Sequence, residues 1–323
     1  MNWEYIYKIR KITPNRIRKI TPKKIKRFIS SKIREFIAIH FTKKTWPRYF
    51  INPPKSKLDF IRLKIDFIRT KKWVTRILGP KHKPDHNRIE IAITYDCNVK
   101  CFNCVQSCRQ APTKECMTVQ QIKKFIKESI EQNRKWEHIR VLGGEPTLYP
   151  KIFEILNLLL NYKKNFSPNT KVVLVTNGFG PKVNNILSKI PDKISIENSR
   201  KSSSIQPNFV SINIAPTDLK EYKDIDYSNG CWVTNVCGIG LSPYGYYPCL
   251  TAASIDRVFG FDTGRKRLPS SDDSMRDQLR LLCKYCGFFK HFNKVIGAKE
   301  EMSQSWKRAY KKYKRKKPVL SLY

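Results

Sequence analysis

From Arg88 onward the chain alternates between short apolar strands and amphipathic helices, and this pattern constrains the fold more than any other feature. Strands are predicted at 89–95, 138–142 and Lys171–Thr176, with helices between them at 118–133 and 151–162. Strands separated by helices at this spacing favour parallel βα units, so the sequence predicts an α/β fold. In such sheets the ligand sites lie at the carboxyl ends of the strands.

The alternation continues with a helix near 182–190 and two more predicted strands at 193–197 and 209–214. Each of the first three strands is followed directly by a motif that carries chemistry. Cys97, Cys101 and Cys104 follow the first strand, Gly143-Gly144-Glu145-Pro146 follows the second, and Asn177-Gly178 follows the third. All three motifs are therefore expected at the same edge of the sheet.

Three cysteines within eight residues point to a metal site that is left open. Thiolates suit zinc or iron–sulfur clusters, and a cubane cluster has four irons that each take one outside ligand. Cys97, Cys101 and Cys104 supply three ligands, which leaves the fourth iron for an exchangeable ligand. The alternative from spacing alone is a closed zinc site completed by Cys108 or Cys116.

The three motifs in this order resemble the radical S-adenosylmethionine (SAM) enzymes, over about residues 88 to 215. The resemblance implies a partial (β/α)6 TIM-type barrel and a 4Fe–4S cluster on Cys97, Cys101 and Cys104. It also implies that SAM binds the open iron and is cleaved by one electron to a 5′-deoxyadenosyl radical, which removes a hydrogen atom from the substrate. An electron donor such as flavodoxin or ferredoxin is expected.

The same resemblance assigns the SAM-binding residues. Gly143, Gly144 and Glu145, followed by Pro146, are expected at the SAM amino group, because glycines allow close backbone approach and an acid suits an ammonium. Weaker candidates are Asn177 and the polar end of the fourth strand, Ser195 or Glu197. Members of the family commonly place an aromatic residue just before the third cysteine. Here that position is Asn103, and the aromatic residue is Phe102.

A second set of cysteines follows the strand–helix region. A predicted β-hairpin carries Cys237 and Cys249 near its ends, and Cys283 and Cys286 form a C-x2-C pair. Four thiolates complete the ligand set of one cluster or one zinc ion. The arrangement resembles the SPASM and twitch extensions of radical SAM enzymes, which implies an auxiliary 4Fe–4S cluster that passes electrons. Cys231 is an alternative for one of the four ligands.

Charge is concentrated at the start of the chain. The whole chain has a formal charge of +38, and residues 1–84 carry 25 Lys and Arg against four Asp and Glu. This segment includes a repeated IRKITP and helical apolar patterns at 25–37 and 58–68, which indicate helices packed on the protein or on a partner, or helices lying on an anionic surface. No apolar run is long enough for a transmembrane segment and no signal peptide is evident, so we expect a cytoplasmic protein that is either free or membrane-peripheral.

Four segments follow from these patterns: a basic, partly helical extension (1–84), the radical SAM barrel (85–225), the auxiliary cluster domain (226–290) and a basic C-terminal tail (291–323). The predicted function is an oxidation or dehydrogenation of a sugar-like or nucleotide-linked small molecule by an oxidoreductase. A peptide-modifying radical SAM enzyme is the alternative. A zinc-stabilised protein that binds nucleic acid or membrane is the alternative of another class. His82 and His86, in a Pro-rich linker, are expected to be solvated.

Overall fold

A computed structural model describes residues 57–205, 209–291, 296–297 and 300–323. Our predictions for the IRKITP repeat and for the helical pattern at 25–37 lie outside these residues. The strands are β1 (Arg88–Thr94), β2 (His138–Gly143), β3 (Lys171–Thr176), β4 (Ser195–Asn198), β5 (Phe209–Val210), β6 (Ile239–Ser242), β7 (Gly245–Tyr247) and β8 (Ile296–Gly297).

The main sheet has six strands in the order β4-β3-β2-β1-β6-β7. Its neighbours pair in parallel from β4 to β6, and β7 runs antiparallel to β6. The sheet is open within the described residues, with β4 and β7 at its edges. The predicted α/β class with a mostly parallel, partial-barrel sheet is therefore confirmed. The predicted strand at 209–214 is shorter than expected: it covers Phe209–Val210 and, among the described residues, pairs with β8 in a separate two-stranded sheet.

The helices are α1 (Lys57–Arg69), α2 (Lys72–Leu78), α3 (Val119–Glu131), α4 (Ile152–Asn165), α5 (Pro181–Leu187), α6 (Trp232–Val236), α7 (Leu250–Phe259), α8 (Arg276–Leu282) and α9 (Gln304–Arg315). Helix α3 begins as its sequence indicates. The Thr118 hydroxyl accepts a hydrogen bond from the Gln121 N–H at 3.1 Å, and the Gln121 side chain accepts one from the Thr118 N–H at 2.8 Å. This capping box satisfies two backbone donors at the helix start.

Side-chain alternation in β1 separates the two faces of the sheet. Ile89, Ile91 and Ile93 are fully buried in a core that includes apolar residues of α3 and α4. Burying side chains of this size contributes about 1.5–3 kcal/mol each. Because successive strand residues point to opposite faces, Glu90 and Ala92 lie on the other face. That second face is covered in part by α7 and α9, whose residues share a core cluster with Ala92.

The predicted hairpin between Cys237 and Cys249 is present as β6 and β7, with Gly240 opposite Tyr247. It does not stand apart from the barrel. Strand β6 pairs in parallel with β1, with Ile89 opposite Ile239. The hairpin thereby satisfies backbone groups along the edge of β1 that would otherwise be unpaired. The segment that we assigned to an auxiliary domain thus supplies two strands of the main sheet.

The C-terminal segment that we assigned to a basic tail contains a helix, and this helix is built into the fold. Helix α9 buries Trp306, Tyr310 and Tyr313 while its lysines lie on the exposed face. The Trp306 Nε1–H donates to the Tyr285 carbonyl at 2.8 Å. The last residue, Tyr323, packs in the core of the sheet and its hydroxyl lies 2.9 Å from that of Tyr246.

Helix α1 confirms the predicted helical pattern at 58–68 but leaves its apolar side chains accessible. Leu58 is 67% exposed, and Ile61, Ile65 and Ile68 are each about half exposed. Across the described residues, we find no helix with the length and apolarity that a membrane span requires.

Candidate active site at the carboxyl edge of the sheet

The Gly-Gly-Glu turn after β2 is fastened to the start of the cysteine loop after β1. The Gly144 N–H donates to the Thr94 carbonyl at 2.7 Å, and the Glu145 N–H donates to the Asp96 carbonyl at 2.8 Å. A Cβ atom on Gly144 would lie 2.1 Å from the Asp96 oxygen, and one on Gly143, where φ is +142°, would lie 2.2 Å from the Thr94 oxygen. Only glycine allows this approach, so the two motifs are in direct backbone contact.

The carboxylate of Glu145 is fully buried and connects the ends of β2 and β3. One oxygen accepts hydrogen bonds from the Thr147 hydroxyl at 2.8 Å and the Thr176 hydroxyl at 2.9 Å. The other accepts one from the Asn177 N–H at 2.7 Å. Glu145 thus organises the predicted SAM-binding edge, with both oxygens engaged by protein donors. Pro146 begins the 3-10 turn that follows it.

The side chain of Asn177 reaches from the end of β3 to the cysteine loop. Its Nδ2 donates to Asn98 Oδ1 at 2.8 Å and lies 3.9 Å from Cys97 Sγ. Its Oδ1 accepts from the Phe179 N–H at 2.7 Å, which fixes the amide orientation. Asn98, which our sequence reasoning did not select, is therefore part of the connection between the two strand ends.

Cys97, Cys101 and Cys104 lie together on this edge, with Cys101 buried and the other two partly accessible. Their sulfurs are close to N–H donors. The Val99 N–H lies 3.4 Å from Cys97 Sγ, and the Lys201 Nζ lies 3.2 Å from Cys101 Sγ. Hydrogen bonds to sulfur and nearby positive charge are features that stabilise thiolate-bound clusters.

The three thiols differ in acidity. Burial raises the pKa of Cys97 to about 11. The pKa of Cys104 is lowered, first by a hydrogen bond from the Cys108 thiol and then by backbone N–H groups and Lys201. Cys108 therefore lies in contact with the loop, whereas Cys116 is exposed. A bound metal would hold all three loop thiols as thiolates.

Asn103, just before the third cysteine, has an unusual environment. Its side chain is fully buried, and neither its Oδ1 nor its Nδ2 has a hydrogen-bond partner among the described residues. The neighbouring Phe102 packs against Arg109, whose guanidinium carbon lies 4.5 Å from the centroid of the Phe102 ring. Leaving a buried amide unpaired costs about 1–3 kcal/mol, so an orphaned amide beside this loop fits a ligand that supplies its partner. Three thiols, N–H donors and this amide together fit a cluster with SAM.

The fourth strand requires a correction. Ser195 pairs with Val173 at the beginning of β4, whereas Asn198 pairs with Thr176 at the carboxyl edge. A separation of three positions along the strand places Ser195 about 10 Å from that edge. Asn198 is the last residue of β4, and Lys201 follows it closely. The rule that ligand sites lie at the carboxyl ends of strands would have selected both residues if the end of the fourth strand had been predicted at Asn198.

Glu197 belongs to a charged layer on the face of the sheet opposite the isoleucine core. Arg140 on β2 forms ion pairs with Glu90 on β1 and, at 2.5 Å, with Glu197 on β4. Burial raises the pKa of Glu90. Burial alone would lower the pKa of Arg140, but the carboxylates of Glu90 and Glu197 outweigh it and raise the pKa of Arg140. The Arg140 Nε is buried without a partner among the described residues. These three side chains form a charged cluster on a face whose other described residues include the apolar cluster around Ala92.

The second set of cysteines gathers around one small apolar cavity. Four of them line it: Cys231, Cys249, Cys283 and Cys286. Burial, followed by the proximity of the other thiols, raises the pKa of Cys249 and Cys283. Val233, Ala252, Ile255, Leu282, Phe288 and Phe289 form the surrounding wall. Such a dry pocket with four thiols suits a fully ligated cluster.

Cys237, which we predicted as a ligand here, does not line this cavity. Its thiol lies beside the Glu90 carboxylate instead, and burial, followed by that negative charge, raises its pKa. Cys231, the alternative from the sequence, takes its place. In the described part of the chain, no three His, Cys, Asp or Glu side chains are arranged to hold a single metal ion. A cubane cluster spreads its ligands over separate irons, so they need not converge on one point.

The comparisons with known proteins agree with the placement of these motifs. Residues 91–196 match the Radical SAM superfamily. This span contains most of β1, the three-cysteine loop, the Gly-Gly-Glu turn and the end of β3. The span covers about a third of the chain and ends before the second cysteine set, which begins at Cys231.

Among curated relatives, the GTP 3′,8-cyclase of Aliarcobacter butzleri is 28% identical over 108 residues, which is 33% of this chain and 30% of the relative. The probable GTP 3′,8-cyclase of Methanococcus aeolicus is 32% identical over 97 residues, which is 29% of this chain and 31% of the relative. The matches thus span less than a third of the length of these relatives.

Two solved structures are more distant. BtrN in complex with AdoMet and 2-DOIA is 13% identical, with coverage of 67% of this chain and 96% of BtrN and a TM-score of 0.38. Streptococcus suis SuiB bound to S-adenosylmethionine is 17% identical, with coverage of 52% of this chain and 35% of SuiB and a TM-score of 0.25. The similarity to the Radical SAM superfamily therefore rests on the match over residues 91–196 and on the motifs at the strand ends.

Proposed function

Starting from the premise that this chain carries a radical SAM domain, we propose that it is a SAM-dependent radical oxidoreductase with two iron–sulfur clusters. The observation that carries the proposal is the joining of three strand ends into one site. The Glu145 carboxylate accepts a hydrogen bond from the Asn177 N–H at 2.7 Å. Backbone N–H groups of the Gly-Gly-Glu turn donate to the carbonyls of Thr94 and Asp96, which lead into the cysteine loop.

In this proposal Cys97, Cys101 and Cys104 would hold a 4Fe–4S cluster, which would leave one position of the cluster open to SAM. The backbone of Gly143 and Gly144 approaches the SAM amino group, because the Glu145 carboxylate is already engaged by protein donors. The side-chain amide of Asn103, which has no partner among the described residues, hydrogen-bonds to SAM.

Cys231, Cys249, Cys283 and Cys286 hold the auxiliary 4Fe–4S cluster in this proposal. When bound, the reduced first cluster and SAM would supply a radical that removes a hydrogen atom from the substrate. The second cluster would accept the electron that the substrate radical then gives up, and the accompanying proton would leave to solvent. The apolar wall of the second site excludes water from the four thiolates. A fully ligated second site favours a net oxidation over methyl or sulfur transfer.

The substrate that we favour is a sugar-like or nucleotide-linked small molecule. The charged layer of Glu90, Arg140 and Glu197 supports a hydroxyl-rich or charged substrate over an apolar one. The buried, unpaired Arg140 Nε adds a donor suited to an oxygen. Because the curated relatives are named for GTP, nucleotides belong first in a substrate screen. Flavodoxin or ferredoxin is the expected class of electron donor.

Anaerobic purification tests this function. Two cubane clusters predict a brown protein with about eight iron and about eight sulfide per chain. Reduction in the presence of SAM should release 5′-deoxyadenosine and methionine. The Cys101→Ser variant should lose about four iron and all SAM cleavage, whereas Cys116→Ser, at an exposed thiol, should match the wild type. A colourless protein that contains zinc would establish the zinc-stabilised alternative instead.

A further inference from the structure

Arg257 is a buried cation that lies behind the three-cysteine loop. It is on α7, only 2% of its surface is exposed, and it is among the largest fully buried side chains of the described chain. No sequence motif marks it, and its neighbours in the sequence belong to the region of the second cysteine set. Its position therefore connects the two candidate metal sites.

The guanidinium of Arg257 holds the backbone that follows Cys104. One nitrogen donates to the Ala111 carbonyl at 2.9 Å. The other donates to the Gln106 carbonyl at 3.0 Å and lies 3.4 Å from the Ser107 carbonyl. A planar group with several fixed donors can fasten three carbonyls at once, which a lysine ammonium does less well. Arg257 thus sets the path of the loop immediately after the third cysteine.

The remaining contacts of Arg257 are aromatic. The first nitrogen also donates to the Tyr313 hydroxyl at 2.8 Å. The guanidinium carbon lies 4.3 Å from the ring centroid of Tyr95, which follows β1 directly, and 5.5 Å from that of Tyr313. Within the described residues no carboxylate forms an ion pair with Arg257.

A buried charge without a counter-ion is costly. The effective desolvation penalty is several kcal/mol per ion, and carbonyls and aromatic faces offset only part of it. An anion near the guanidinium would offset the rest. Three thiolates give the loaded cysteine loop a net negative charge, which increases by one when the cluster is reduced. The loop that Arg257 holds is therefore the place where the missing negative charge is expected.

Helix α7 also begins at the second site. Cys249, one of the four cysteines around the apolar cavity, is the residue directly before the helix, and Arg257 lies eight residues further on. That separation is about 12 Å along a helix axis. A short rigid helix thus runs from a ligand of the proposed second cluster to the backbone of the first cysteine loop.

We propose that Arg257 is a positioning residue that fixes the three-cysteine loop and raises the reduction potential of the cluster bound there. The inference rests on the proposed function, since it requires a cluster on that loop. A positive charge stabilises the reduced cluster, which carries more negative charge, over the oxidised cluster. Removing the charge should therefore make the cluster harder to reduce.

The test is an anaerobic redox titration of the first cluster, followed by the electron paramagnetic resonance signal that changes when SAM is added. In Arg257→Met we expect the ratio of reduced to oxidised cluster at a fixed potential to fall at least tenfold, which is a shift of about 59 mV to lower potential for one electron. Arg257→Lys, which keeps the charge but not the planar fork, should retain most of the potential. Arg257→Gln gives a second neutral variant if the Met variant does not fold.

Arg134 provides a matched control. It is also buried, donates to the His86 and Pro269 carbonyls at 2.9 Å, and lies over Trp136, away from the cysteine loop. Arg134→Met should lower the melting temperature without shifting the potential. An unchanged potential in both neutral Arg257 variants, each with a fully loaded cluster, overturns the proposed redox role.

Hydrogen exchange separates this inference from the proposed function, because it does not require a cluster. In the metal-free full chain, Arg257→Gln should increase exchange in the peptide that contains residues 105–111, and Arg134→Met should not. If the wild type binds no cluster, the proposed function and the redox role both fail, while this measurement still decides the positioning role. Equal exchange in Arg257→Gln and the wild type would overturn that role.

Discussion

The carboxylate of Glu145 accepts a hydrogen bond from the backbone N–H of Asn177 at 2.7 Å, and this bond joins the ends of β2 and β3. Glu145 is fully buried, and its other oxygen accepts from Thr147 and Thr176. The acid that the sequence places at a SAM-binding turn is thus also the residue that holds the neighbouring strand ends together. Its substitution should affect stability and binding alike.

Glu145→Gln should destabilise the fold and weaken SAM binding. The new amide NH2 faces donors and leaves at least one buried hydrogen bond unmade, at a cost of about 1–3 kcal/mol. Urea unfolding and anaerobic calorimetry with SAM measure the two effects. Glu154→Gln, at an exposed position on α4, is the control and should change stability by less than about 0.5 kcal/mol. Equal unfolding of the two variants would contradict the role given to Glu145.

Cys231 and Cys237 provide a matched pair for the second site. Cys231 lines the cavity with the other three cysteines, whereas Cys237 does not line it and lies beside the Glu90 carboxylate. Cys231→Ser should therefore lower the iron content by about four per chain, and Cys237→Ser should not. Iron and sulfide analysis of anaerobically purified protein measures this. The reverse result would restore the ligand set that the hairpin pattern suggested.

Asn103→Ala should separate stability from binding. The substitution removes a buried amide that has no partner among the described residues, which offsets the cost of placing Ala at a φ of +51°. We expect an unchanged or higher melting temperature for the metal-free chain and at least tenfold weaker SAM binding to the loaded chain. A large loss of melting temperature with unchanged SAM affinity would show that the amide serves the fold and not the ligand.

His82 should make the fold sensitive to mild acid. Burial, and then the nearby Lys81, lower its pKa to about 3, so the folded chain keeps this imidazole neutral. The unfolded chain protonates it near its ordinary pKa of about 6.5. The folded state therefore loses stability as pH falls through 6.5 toward 3. Between pH 7.5 and 5.5 the loss from this group is roughly 1 kcal/mol.

Urea unfolding at these two pH values measures the loss. His82→Gln should show a smaller loss than the wild type, although His86, whose pKa is also lowered by burial, contributes in both. His86 is 8% exposed with its Nε2 2.7 Å from the Asp273 carbonyl, and His82 is partly buried, so neither is the solvated linker histidine that we predicted. An identical pH dependence in the wild type and the variant would exclude His82 as the source.

The sequence by itself determined the strand–helix order and the three motifs at the strand ends. These features are local: apolar alternation marks each strand, and parallel pairing sends the carboxyl ends to one edge. The cysteine loop, the Gly-Gly-Glu turn and Asn177 therefore meet where the sequence indicated. Local pattern also located the 237–249 hairpin, although not its pairing with β1.

The tertiary structure decided which residues of distant segments share a site. Cys231, rather than Cys237, faces the cavity with Cys283 because the pairing of β6 with β1 places Cys237 beside Glu90. The register of β4 placed Asn198, not Ser195, at the edge. Arg257 reaches the loop after Cys104 across about 150 residues of sequence. Such contacts depend on three-dimensional packing and pairing, and no local periodicity encodes them.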